Sequence, residues 1–119
     1  MAYLPQNNVI SNVNSTTANL AGAALFTGTS EDVKDFASIT ISVFSDQASG
    51  TDGLSIQQSS NGTNWDITDT YTIAASTGKT FSVQPAARFF RIVYTNGATP
   101  QGSFRMQTVY HPIVTKSSS

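Results

Sequence analysis

The residues that could do acid/base or nucleophilic chemistry are few and scattered: one histidine, seven carboxylates and no cysteine in 119 residues. His111 stands against Pro112 at the end of the last apolar segment, with no neighbouring group of a type that would orient it. A general base needs an oriented acid or nucleophile beside it, so His111 reads as structural and no catalytic residue is assigned. Asp66 and Asp69 sit three apart beside Trp65, where loop carboxylates cap backbone amides more naturally than they form an acid/base pair. Calcium needs only loop oxygens, which Asp46, Asp52 and the Glu31/Asp32/Asp35 group could supply, but their spacing does not match an EF-hand loop and solvated carboxylates are the simpler reading. No metal and no cofactor is assigned.

Composition narrows the field further. Only 11% of residues are charged and the net charge is −1. That leaves no basic field to release counterions from nucleic acid. No stretch is long and apolar enough to cross a bilayer as a helix, and no signal-peptide pattern opens the chain, so export by the ordinary secretory route is not expected. The absence of cysteine fits maturation in a reducing cytosol. Sixteen Ser, sixteen Thr and eight Asn carry the polarity instead, a surface suited to close packing against like copies.

Strands must position whatever site exists. ASITISVFS (37–45) alternates, with Ile39, Ile41 and Val43 on one face. GLSIQQSS (53–60) places Leu54 and Ile56 inward. RFFRIVYTN (88–96) and SFRMQTVYH (103–111) add Phe90, Ile92, Tyr94, Phe104 and Met106 to one predicted core. DTYTIAA and KTFSVQP around Ser76-Thr77-Gly78 read as a hairpin, with Tyr71, Ile73, Phe81 and Val83 as inward candidates. Residues 18–26 read as a strand or a short buried helix, the flanking Thr and Gly favouring the strand, and Ser30 as the cap of a single helical turn carrying Glu31 and Asp32. The spacing predicts an all-β sandwich or jelly roll of seven or eight antiparallel strands. An extended N-terminal arm (1–17) precedes the sandwich domain (18–112), and a polar tail (113–119) follows it.

Two features suggest surfaces. Asn61-Gly62 predicts a tight turn, and Trp65 just beyond it is either a core plug or a stacking platform for a sugar. In β-strand 88–96 both faces are apolar, since Phe89 and Val93 flank Arg91 on the outer side. Either the arm or another subunit covers that face, or arginine stems lie over the aromatics.

SSNGTNWD and ARFFRIVYTN together resemble the paired signature of discoidin-type, galactose-binding-like jelly rolls, matched here at Ser60, Asn61, Gly62, Trp65 and at Arg88 to Ile92. The wider pattern, from FTGTSEDVKDF to SFRMQT, is similar to small β-sandwich proteins of tailed phages. The discoidin resemblance implies a framework role for Trp65 and favours the plug. This chain is shorter than a full discoidin domain and lacks the cysteine pair that joins the ends of many members.

The phage resemblance implies a virion component, assembled in the host cytoplasm and released by lysis. A capsid decoration protein is the favoured role, because the chain reads as one domain with a bare arm and no linker to a catalytic partner. Its partners would be copies of itself, as a trimer, and the major capsid protein. The candidate contacts are Tyr3, Leu4, Val9, Ile10 and Val13 of the arm, with Phe89 and Val93 on the outer face. The alternative is a glycan-binding tail or fibre adhesin using Trp65, Asn61, Asp66 and Arg105.

Overall fold

A computed structural model describes residues 8–113, which form nine strands and, among the described residues, no helix. The first sheet has the order β1 (Val9–Ile10), β9 (Phe104–Pro112), β4 (Phe36–Ser45), β7 (Lys79–Val83). The second has the order β2 (Leu25–Thr27), β8 (Phe89–Asn96), β5 (Ser49–Ser59), β6 (Ile67–Tyr71), and β3 (Glu31–Asp32) shares the β8 edge with β2. Every pairing is antiparallel. The protein is an all-β sandwich.

Period-two alternation sets the register. Ile39 and Ile41 pair with Tyr110 and Thr108 across the first sheet, and Leu54 and Ile56 pair with Tyr94 and Ile92 across the second. Slipping any of these strands by one residue would turn its whole apolar set to solvent. All ten expected core residues are buried, and Val33, Ile73 and Tyr110 join them. Aromatic rings bridge the layers: Tyr94 lies 4.8 Å from Phe104, and Phe90 meets Tyr110 edge-on at 5.9 Å. Such offset and edge-on pairs add to simple burial by matching ring quadrupoles.

Four local expectations are corrected. Residues 18–24 form a turn rather than a strand, held by the Asn96 amide donating to the carbonyls of Leu20 and Ala21. Ser30 caps no helical turn: Glu31 and Asp32 pair with Phe90 and Phe89 as β3, because the open β8 edge offers ladder partners that an isolated turn lacks. β6 and β7 are not a hairpin, since Ser76 at φ 55° carries the chain across from one sheet to the other. Asn61-Gly62 is part of a longer loop, 60–66, in which only Gly62 takes a positive φ, 78°. The Ser59 hydroxyl accepts from the Asn61 and Gly62 amides there, and Asn61 Oδ1 accepts from those of Thr63 and Asn64.

The two lateral openings of the sandwich are closed differently. At the β6/β7 side Tyr71, exposed rather than inward as expected, tilts at 32° against Phe81 with centroids 4.4 Å apart. At the other side, residues 11–17 run between the sheets. Ser11 N–H donates to Thr108 O, and Thr16 exchanges both backbone bonds with Met106. From Asn8 onward the chain lies along its own domain, bending at 12–14, where the Val13 and Asn14 N–H groups donate to the Ser11 hydroxyl.

Candidate functional site on the outer faces and lateral edge

Outside the core, alternation places every second residue of β8 and β9 on the outer faces. Arg91 of β8 and Arg105 of β9 lie on these faces over aromatic rings, Trp65 at 4.3 Å and Phe44 at 4.5 Å, and Arg88, just before β8, lies over Phe89 at 5.5 Å. The attraction of a guanidinium for a ring face holds these rings without a second layer of protein. Arg91 Nε also donates to Gln57 Oε1 at 2.7 Å, and Arg88 forms an ion pair with Asp32 at 2.8 Å. Phe89 packs beneath Gly62, where a Cβ would sit 3.6 Å from its ring. Phe89 and Val93 are half-buried on the outer face of the second sheet, and the arm, from residue 8, lies elsewhere.

Trp65 fits neither reading as posed. It is half-buried and lies outside the core cluster, with its ring under Arg91. The reason is positional: loop 60–66 folds back over the outer face of β5 and β8 instead of turning into the sandwich. The proposed sugar platform is not assembled either. Trp65, Asn61 and Asp66 belong to that loop on the second sheet, whereas Arg105 pairs with Phe44 on the outer face of the first. Among the hydrogen bonds described, Ser59 and Asn61 cap the loop amides, not Asp66 or Asp69.

The lateral edge carries a polar clamp that the sequence does not announce. Asn14 is fully buried. Its Oδ1 accepts from Ile92 N–H at 2.9 Å, filling the β8 edge between β2 and β3, and its Nδ2 donates to Thr29 O and to Glu31 Oε1. Glu31 Oε1 also accepts from the Ser11 and Tyr110 hydroxyls, each at 2.5 Å. Burial, and then the Glu31 carboxylate, push the Tyr110 phenol well above its ordinary value. This clamp joins arm, first sheet and second sheet. Around it the edge leaves apolar side chains in solvent: Val9 is 44% exposed, Ile10 53%, Val13 40% and Leu25 58%. Tyr3 and Leu4 lie outside the described residues.

The remaining ionisable groups are dispersed. Glu31 and Asp32 point to opposite faces because they are adjacent in a strand, so the two carboxylates weighed with Asp35 as loop oxygens are not brought together. Asp46 Oδ1 accepts from Ser103 and Gly102 N–H groups, and these bonds hold its carboxyl below the ordinary value. His111 is bracketed by Thr40 Oγ1 at 2.8 Å and Asn8 Oδ1 at 3.0 Å. Among the described residues no three of His, Asp and Glu converge as metal ligands.

Residues 3–111 match the family described as the uncharacterised protein YqxG N-terminal domain. The chain belongs to that family. In fold, the chain is similar to the PBSX exported protein XepA, with a TM-score of 0.77 at 19% identity over 95% of this chain and 39% of XepA. It thus spans about two-fifths of that protein's length. It is also similar to a Bacillus endospore appendage protein of a family of disulfide-linked pili, with a TM-score of 0.52 at 16% identity over 95% of each chain. No curated protein matches the chain.

Proposed function

We propose that this domain is a non-enzymatic structural component of a phage-type particle, a decoration protein held on the outside of the head as a homo-oligomer. The observation that carries this reading is the lateral edge, where Val9, Ile10 and Leu25 stay exposed on short edge strands and Val13 in the bend that follows β1. Edge strands that present apolar side chains and unpaired backbone groups are prone to pair with another chain. A second copy or a shell protein that covers this edge removes that apolar surface from water. The likeness in fold to a PBSX exported protein and to a pilus-forming protein supports a role outside the cell in assemblies.

The test uses particles grown without this gene, to which the full-length chain is added back. Wild-type protein is expected to sediment with the particles and to be oligomeric alone, whereas Ile10→Asp with Leu25→Asp remains folded, monomeric and unbound. A monomeric wild type that leaves such particles bare overturns the reading.

A further inference from the structure

We propose that the outer face of the first sheet carries a groove for an anionic carbohydrate, a sugar chain bearing carboxylate or phosphate groups. The groove has a volume of about 660 Å³ and lies between the Ile10–Thr17 segment and strands β9, β4 and β7. That volume is within the range of small-ligand sites, about 300 to 1,000 Å³. Its floor is chemically ordered. Thr80, Ser42 and Gln107 are in register across three strands, so two hydroxyls and an amide form one transverse row. Phe44 and Arg105 are paired two positions further along.

Arg105 separates this face from the other two arginine sites. Arg88 spends its charge on Asp32 and Arg91 donates to Gln57, but among the described residues Arg105 makes no ion pair and no side-chain hydrogen bond. Its guanidinium is fixed over Phe44, which pre-orients a fork of N–H donors. Arg105 is the charged side chain on the face of this row, Lys79 lines the groove from the end of β7 opposite the inward Val43, and no carboxylate lines it, in a chain whose net charge is −1. The local field thus opposes that of the whole molecule. A carboxylate or phosphate oxygen pair matches the guanidinium fork, and the hydroxyl and amide row matches the ring hydroxyls of a sugar. A neutral sugar would lack the first contact and would find the Phe44 face already occupied by Arg105. The inference needs only the folded chain and does not rest on the particle reading.

The test is a titration of the ¹⁵N-labelled full-length chain, followed by amide shifts, with four probes: oligogalacturonate, glycerol phosphate oligomers, maltohexaose and a thymidine oligonucleotide. At least one of the two acidic glycans or polyols should shift the amides of Ser42, Phe44, Thr80, Arg105 and Gln107, weakening with added salt, and the tighter of the two names the anion. Arg105→Gln should weaken that binding about tenfold and Arg105→Lys less, while amides elsewhere keep their positions. Three results overturn the proposal: no groove shifts with either acid at millimolar concentration, equal binding of maltohexaose or the oligonucleotide, or unchanged binding by Arg105→Gln.

Discussion

Asn14 is the side chain on which the lateral edge depends, because its amide stands in for a missing stretch of β-ladder at Ile92. Replacing it with Ala leaves a buried N–H and a carbonyl without partners, and Asn14→Ala should lower unfolding stability by about 2 to 3 kcal/mol in urea titrations. Gly28 tests the same contact from the other side: a Cβ there would lie 1.8 Å from Asn14 Oδ1. Gly28→Ala should therefore be destabilising by about 1 to 3 kcal/mol in the wild type, and by less in the Asn14→Ala background, where only the 3.0 Å approach to Ile92 O remains. Equal effects in both backgrounds would contradict the clash. Trp65→Ala, with its ring outside the core under a single guanidinium, should cost about 1 to 2 kcal/mol, and a loss above about 3 kcal/mol would restore the plug.

Two carboxyls give the acid limb of stability a sign. Asp32, through Arg88 and the Lys34 N–H, and Asp46, through the Ser103 and Gly102 N–H groups, are held below their ordinary 3.8. A depressed folded-state value contributes stability that is fully present above the unfolded value and is lost as pH falls through the folded one. Melting temperature should therefore begin to fall near about pH 4 and continue downward, more shallowly in Asp46→Asn. Asp32 faces the exposed Arg88 guanidinium, so salt should weaken its share of the effect, whereas the Asp46 share, set by backbone N–H groups, should change less. An acid limb unchanged in Asp46→Asn would remove that residue from the account.

At the scale of elements, the long strands were legible because their apolar residues recur at period two, and the burial of Ile39, Ile92 and Met106 follows from that alone. Short elements were not. Glu31–Asp32 has no periodicity, and it is a strand only because β8 leaves an edge open there. The sheet assignment of β6 and β7 was hidden as well, since a turn signal at Ser76 cannot distinguish a hairpin from a crossing between layers. The outer arginines were half legible: spacing put Arg91 outward, but the return of loop 60–66 over it depends on Ser59 and Asn61 bonds that no pattern encodes. The crossing itself can be tested. If Tyr71 and Phe81 close the β6/β7 opening, Phe81→Ala should speed amide exchange in β6 and β7 together, and exchange confined to β7 would show that the two edges are independent.

The whole molecule is a sandwich sealed at one side by its own chain, with an edge that remains apolar outside the seal. The Glu31 clamp fixes residues 11–14 onto the domain, so this edge is presented as a rigid surface rather than a loose arm. The residues expected to clasp neighbours therefore act, between 8 and 17, first as part of their own fold, and only their exposed faces remain for a partner. The most direct measurement is a density map of purified particles carrying this protein. The account predicts sandwich-sized density outside the head, in copies whose Val9, Ile10 and Leu25 edge faces a neighbouring subunit; particles whose heads lack that density, with the protein monomeric at a tail tip or absent altogether, would contradict it.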